Sequence, residues 1–222
     1  MCRSRQSQVG KRSRTPTTIR PPTQVHRSKT AELANGAAQN KPGAEKLFDA
    51  RLSDFEKHTM DYTPVEIMEV LAKVYVPKSG LTESNVNLMA MAATLGWYDA
   101  LRFASPTGKS ELTDKEDFFM MALLAEDKAG TPMATAWGAL LKSSPVQARA
   151  WIAKGINMAE VMVKGKNVRY DQQWPSAYGH ERVACARSAL GCETPASVPE
   201  TKWPAAWSEA SKMVVDFYAP QK

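Results

Sequence analysis

The stretch TESNVNLMAMAATLGWYDAL, residues 82–101, decides how this chain folds. Thr82 is a residue type that caps helices, and Leu88, Met91, Leu95, Tyr98 and Leu101 follow at steps of three and four. That spacing stacks side chains on one face of an α-helix. Apolar residues also cover much of the remaining circumference, which predicts a central, well-buried helix rather than one lying on the surface.

Similar punctuation recurs on both sides. Upstream, Leu47, Phe48, Leu52 and Phe55 mark a short amphipathic helix. Thr63-Pro64-Val65-Glu66 then has the form of a capping box with proline at the first helical position, opening a helix to about Tyr75 that Pro77 and Gly80 are expected to stop. Downstream, Pro106 and Gly108 read as a turn that ends the central helix. Thr113-Asp114-Lys115-Glu116 and Ser144-Pro145-Val146-Gln147 are two further box patterns, and Thr131-Pro132 and Pro204 open other helices. One more helix is predicted from about Ser176 to Leu190, with Gly191 as its stop. Period-2 alternation is almost absent, and β-branched residues are sparse outside Val74–Val76 and Val214-Val215. The expected fold is all-α, a single compact bundle of about seven helices spanning residues 47–222.

Residues 1–46 differ in kind. They contain no Phe, Tyr or Trp, and their apolar residues stand singly among Ser, Thr, Gln, Pro and Arg. Such a segment buries too little apolar surface to offset its ordering entropy, so a disordered basic arm is expected. The net charge of +6 belongs to it: residues 1–30 carry eight Lys and Arg and no acid, which leaves the rest of the chain at −2. Within the arm, Arg3, Arg5, Lys11, Arg12, Arg14 and Arg20 are the candidate phosphate contacts.

Three cysteines, Cys2, Cys185 and Cys192, are too few and too odd in number for a disulfide framework. Cys185 and Cys192 would stand about 10.5 Å apart on a straight helix, beyond the ~7 Å a bridge tolerates, so they could pair only if the chain folds back after Gly191. No apolar run reaches the ~18 residues of a membrane span, and the N-terminus lacks the apolar stretch of a secretory signal. The expected location is cytoplasmic.

Several strings approach a chemical motif and fall short. Ser105-Pro106-Thr107-Gly108-Lys109-Ser110 ends like a phosphate-binding loop, but Phe103 stands where the first glycine belongs and a helix precedes it instead of a strand. His26, His58 and His180 are too scattered for a local metal pair. His180 and Cys185 would project to opposite sides of one helix, so they make no nucleophile–base pair. Asp114, Glu116 and Asp117 suit a helix N-terminus, and Met89, Met91, Met120 and Met121 suit a core. No catalytic residue, cofactor or metal is expected.

The unusual segment is Lys166 to His180. It gathers Arg169, Tyr170, Trp174 and Tyr178 into one connection beside His180, and these residue types are enriched at binding hot spots. Those five are the candidate partner contacts; a long loop pinned to the core by its aromatics is the structural alternative. The leading expectation is a non-enzymatic helical module that binds another protein, of a bacterial regulatory, inhibitor or toxin-neutralising kind. A nucleic-acid-binding packaging or coat-like protein using the basic arm is the rival. An enzyme without a local motif is the third class.

Overall fold

The computed structural model describes residues 44–114, 116–177 and 196–220. Residues 1–43 of the expected arm, most of the predicted 176–190 helix, Tyr178, His180, Cys185 and Cys192 therefore lie outside the described residues, and the last three arm positions, 44–46, belong to the first helix. Eight helices are formed among the described ones: α1 (Ala44–Lys57), α2 (the consecutive segments Pro64–Val70, Leu71–Tyr75 and Val76–Ser79), α3 (Glu83–Phe103), α4 (Pro106–Asp114), α5 (Glu116–Leu124), α6 (Met133–Ser143), α7 (Pro145–Lys164) and α8 (Trp203–Tyr218). No strand forms among these residues; Glu126 and Pro132 make an isolated bridge. The fold is all-α, as the periodicity predicts.

Helix α3 is the axis of the bundle. From Asn85 to Ala100 every residue but Leu88 is buried, and α7, α8 and α2 pack along it. Thr82 caps it by accepting a hydrogen bond from the Asn85 backbone N–H. The Thr63–Glu66 box also forms in full: the Thr63 side chain accepts from the Glu66 N–H while Glu66 accepts from the Thr63 N–H at 2.8 Å. On α8, Ala206, Ala210, Val214 and Tyr218 turn one four-residue-spaced face inward. Trp137 of α6 donates from Nε1 to the Tyr218 carbonyl at 2.8 Å, satisfying an oxygen that the helix end leaves without an internal partner.

The structure corrects four local expectations. The Thr113-Asp114-Lys115-Glu116 pattern does not open a helix at Thr113: Thr113 and Asp114 are the last residues of α4, and α5 begins at Glu116. Pro77 does not stop α2, which runs on to Gly80, where φ is +62°. Proline has no N–H to give and its ring crowds the carbonyl four residues back, but Leu71–Tyr75 just before it form a wider π-helical turn, and the helix passes through. The Ser105–Ser110 string is not a turn but the start of α4. Ser105 Oγ accepts from the Gly108 N–H at 3.0 Å, so Ser-Pro acts there as cap and first residue. Ser144 precedes α7 as predicted but makes no side-chain cap. It also terminates α6, its N–H bonded to the Leu140 carbonyl, and its ψ of 61° lies far from the 156° and 158° of the working caps Thr63 and Thr82.

Gly155 sets how closely α7 approaches α3. A methyl group there would stand 2.4 Å from the Asn87 carbonyl oxygen and 2.6 Å from Ala90 Cβ. Alanine would gain about 1 kcal/mol in helix propensity, but overpacking costs about 1–3 kcal/mol and the obstacle includes backbone. Gly155→Ala is therefore expected to lower the unfolding free energy in urea; an unchanged or raised midpoint would contradict this helix contact.

Candidate functional site

The last turns of α3 carry a cluster of buried polar groups. Asp99 and Arg102 lie three residues apart on one face of a helix whose surroundings are apolar, and they are 0% and 2% exposed. Arg102 Nη2 meets Asp99 Oδ1 at 2.5 Å. The other carboxylate oxygen, Oδ2, accepts from the Tyr170 hydroxyl at 2.8 Å and from Trp174 Nε1 at 3.0 Å. Arg102 also donates to Gln172 Oε1 at 3.0 Å and, through Nε, to the Tyr98 carbonyl at 3.2 Å.

Aromatic rings surround the guanidinium. Its carbon lies 3.7 Å from the Tyr98 ring centroid and 4.7 Å from those of Phe103 and Trp203, within cation–π range. Burial pushes the Asp99 carboxyl up to about 6, against the lowering effects of Arg102 and of the Tyr170, Trp174 and Arg102 hydrogen bonds. The Tyr170 hydroxyl is held well above its ordinary value, first by burial and then by the Asp99 charge and hydrogen bond. Each of the two groups faces the other inside the protein.

The cluster fixes the Lys166–Ala177 connection. Tyr170 and Trp174, 7% and 4% exposed, are anchors. Between and beside them Arg169, Asp171 and Gln173 are exposed. The backbone N–H groups of Arg169 and Tyr170 both donate to the Met60 carbonyl, at 3.0 and 3.2 Å, and Trp174–Ala177 close the segment with a 3₁₀ turn. Of the five sequence-derived candidates, then, Tyr170 and Trp174 meet inside the domain, Arg169 stands on its surface, and Tyr178 and His180 fall outside the described residues. The six arm candidates, Arg3 to Arg20, fall outside them as well. Sequence reasoning missed Asp99, Arg102, Gln172 and Trp203. The available signal was an acid and a base three apart inside an otherwise apolar helix.

Other features have local explanations. Asp127 Oδ1 accepts from the Ala129 and Thr131 N–H groups and shapes the α5–α6 turn. His58 pairs with Asp54 one turn away on the surface of α1. An open groove of about 730 Å³ runs between α7 and α8, lined by Ile156 and Val215 and by the ion-paired Lys212 and Asp216. Among the described residues no three His, Cys, Asp or Glu side chains converge as metal ligands, and no helix is long and apolar enough to cross a membrane. Comparison with protein families, characterised proteins and solved structures finds no match for this chain.

The Tyr170 hydrogen bond can be isolated by Tyr170→Phe. A bond to an ionised group contributes about 1.5–3 kcal/mol, and this one favours charged Asp99. The loss should be largest at pH 7.5 and shrink at pH 4.5, where Asp99 is protonated. Asp99 titration acts in the opposite sense on the wild-type domain: because its folded value is raised from 3.8 to about 6, its contribution is complete below 3.8 and lost as pH rises through 6. Urea unfolding of both proteins at the two pH values checks this, and an equal loss at both would deny Tyr170 an ionised partner.

Proposed function

We propose that the helical domain is a non-enzymatic protein-interaction module, of the regulatory, inhibitor or toxin-neutralising kind, and that Lys166–Ala177 is its partner-reading segment. One observation carries this reading: buried anchors alternate with exposed polar side chains along that segment. Tyr170 and Trp174 are tied to Asp99 below, while Arg169, Asp171 and Gln173 face outward. A loop held in one conformation before binding loses little entropy on contact, which is the main cost that makes loop-mediated interfaces weak. The polar groups of the buried cluster are committed to one another, so its chemistry serves to position the loop.

The experiment is affinity capture with the full chain, a chain lacking residues 1–43, and an Arg169→Glu/Gln173→Lys variant. A protein captured in stoichiometric amount should survive removal of the arm and be lost from the double variant, whose thermal midpoint stays that of the parent because both side chains are exposed. The competing reading, nucleic-acid binding through Arg3, Arg5, Lys11, Arg12, Arg14 and Arg20, requires the reverse. Retained nucleic acid would vanish with the arm, and its affinity would fall log-linearly with salt.

A further inference from the structure

A second concavity, of about 290 Å³, opens where the end of α1, the π-helical turn of α2, the start of α3 and the middle of α7 meet. On the side formed by α1 and α2 its polar wall presents acceptors, while across the cleft the Asn85 amide donates to Ser79 Oγ and to the Gly80 carbonyl. The Tyr75 hydroxyl donates to Glu56 Oε1 at 3.0 Å and Thr59 Oγ1 donates to the Phe55 carbonyl at 2.8 Å, so both protons are engaged within the wall and the oxygen lone pairs remain. Glu56 adds a negative charge on the exposed side. Asn87 stands in the same wall, 6% exposed, with Oδ1 buried and unpartnered, an arrangement that is unfavourable until a donor reaches the atom.

The apolar part of the lining is polarisable. The Phe55 and Tyr75 rings have centroids 6.3 Å apart, and Met158 of α7 contributes a thioether. Tyr75 ends the π-helical turn, and single wide turns of this kind recur at functional sites because they shift a side chain out of α-helical register. Lys154, one turn before Met158 on α7, is paired with Glu83 of α3.

We propose that this cleft binds a small organic ammonium ion, held by the Glu56 carboxylate, the hydroxyl oxygen of Tyr75 and the Tyr75 ring. An ammonium group offers donors and no acceptor, which matches this wall, and its charge is attracted both by the carboxylate and by aromatic quadrupoles. An anion would meet a carboxylate and oxygen lone pairs. A neutral hydrocarbon would leave those acceptors desolvated and unpaired. The volume of about 290 Å³ accommodates a short amine or the end of a lysine side chain. A free amine and a partner's lysine present the same chemistry. The proposal is independent of the Lys166–Ala177 loop and of what that loop binds.

The test is a backbone-amide NMR titration of the full chain with ethanolammonium chloride and, separately, with the chloride of N-acetyl-lysine methylamide, each against sodium chloride at equal ionic strength. Saturable shifts at Tyr75, Ser84 and Asn87 are expected. Glu56→Gln should weaken the affinity at least tenfold. Ser84→Lys, which introduces the protein's own ammonium at the rim, should abolish the response; both side chains are exposed, so either variant suffices if the other is poorly behaved. Saturation by ethanolammonium assigns a free amine, and saturation by the lysine derivative alone assigns a lysine of a partner protein. Absence of saturable shifts with both probes overturns the proposal, as do shifts that Glu56→Gln leaves unchanged.

Discussion

Asp99 is a carboxylate sealed from solvent, and a charge in that position persists only where other donors replace the water it has lost. The replacement comes from three directions. Arg102 supplies one hydrogen bond from the same helix, and Tyr170 and Trp174 supply two more from a segment some 70 residues further along the chain. Each donor is itself held in place: Arg102 by Tyr98, Phe103, Trp203 and Gln172, Tyr170 by the Met60 carbonyl, and Trp174 by its N–H bond to the Asp171 carbonyl. The end of α3, the connection after α7 and the beginning of α8 are thereby joined at one point. Apolar packing alone would allow these elements to slide, whereas a shared buried ion pair accepts only one arrangement.

Around that point the bundle follows from simple geometry. The circumference of α3 is almost entirely buried, so several helices can pack on it at once, and the missing side chain of Gly155 lets α7 come within backbone contact of it. The two flanks of α7 then border different concavities. Ile156 faces the groove toward α8, and Met158 faces the acceptor-lined cleft toward α1 and α2. A single helix packed edge-on against the axis therefore creates two unlike surface sites.

Much of this organisation was legible in the sequence because it is local. The Thr63 box, the Thr82 cap and the three-and-four spacing of α3 are patterns whose physical cause lies within a few residues. The failures share another origin. Ser144 has the right neighbours for a capping box but also terminates the preceding helix, and Pro77 is accommodated by a change of helical pitch that no residue type announces. The segment from Lys166 stood out by composition, yet composition could not say which aromatics face inward. That is decided by Asp99, whose partners are distant in the chain, and no periodicity links positions 99, 170 and 174. The acceptor-lined cleft was invisible for the same reason, since Glu56, Tyr75, Asn87 and Met158 come from four helices.

The anchoring of α3 has a further consequence for chain topology. Trp174 is bonded to Asp99, and the Val198 N–H is bonded to the Arg102 carbonyl at 2.9 Å, so the described segments on either side of residues 178–195 are both fixed to a single helical turn of α3. Their separation is therefore set by the rigid geometry of that turn, and a distortion of it would be felt at once by the connection after α7 and by the approach to α8.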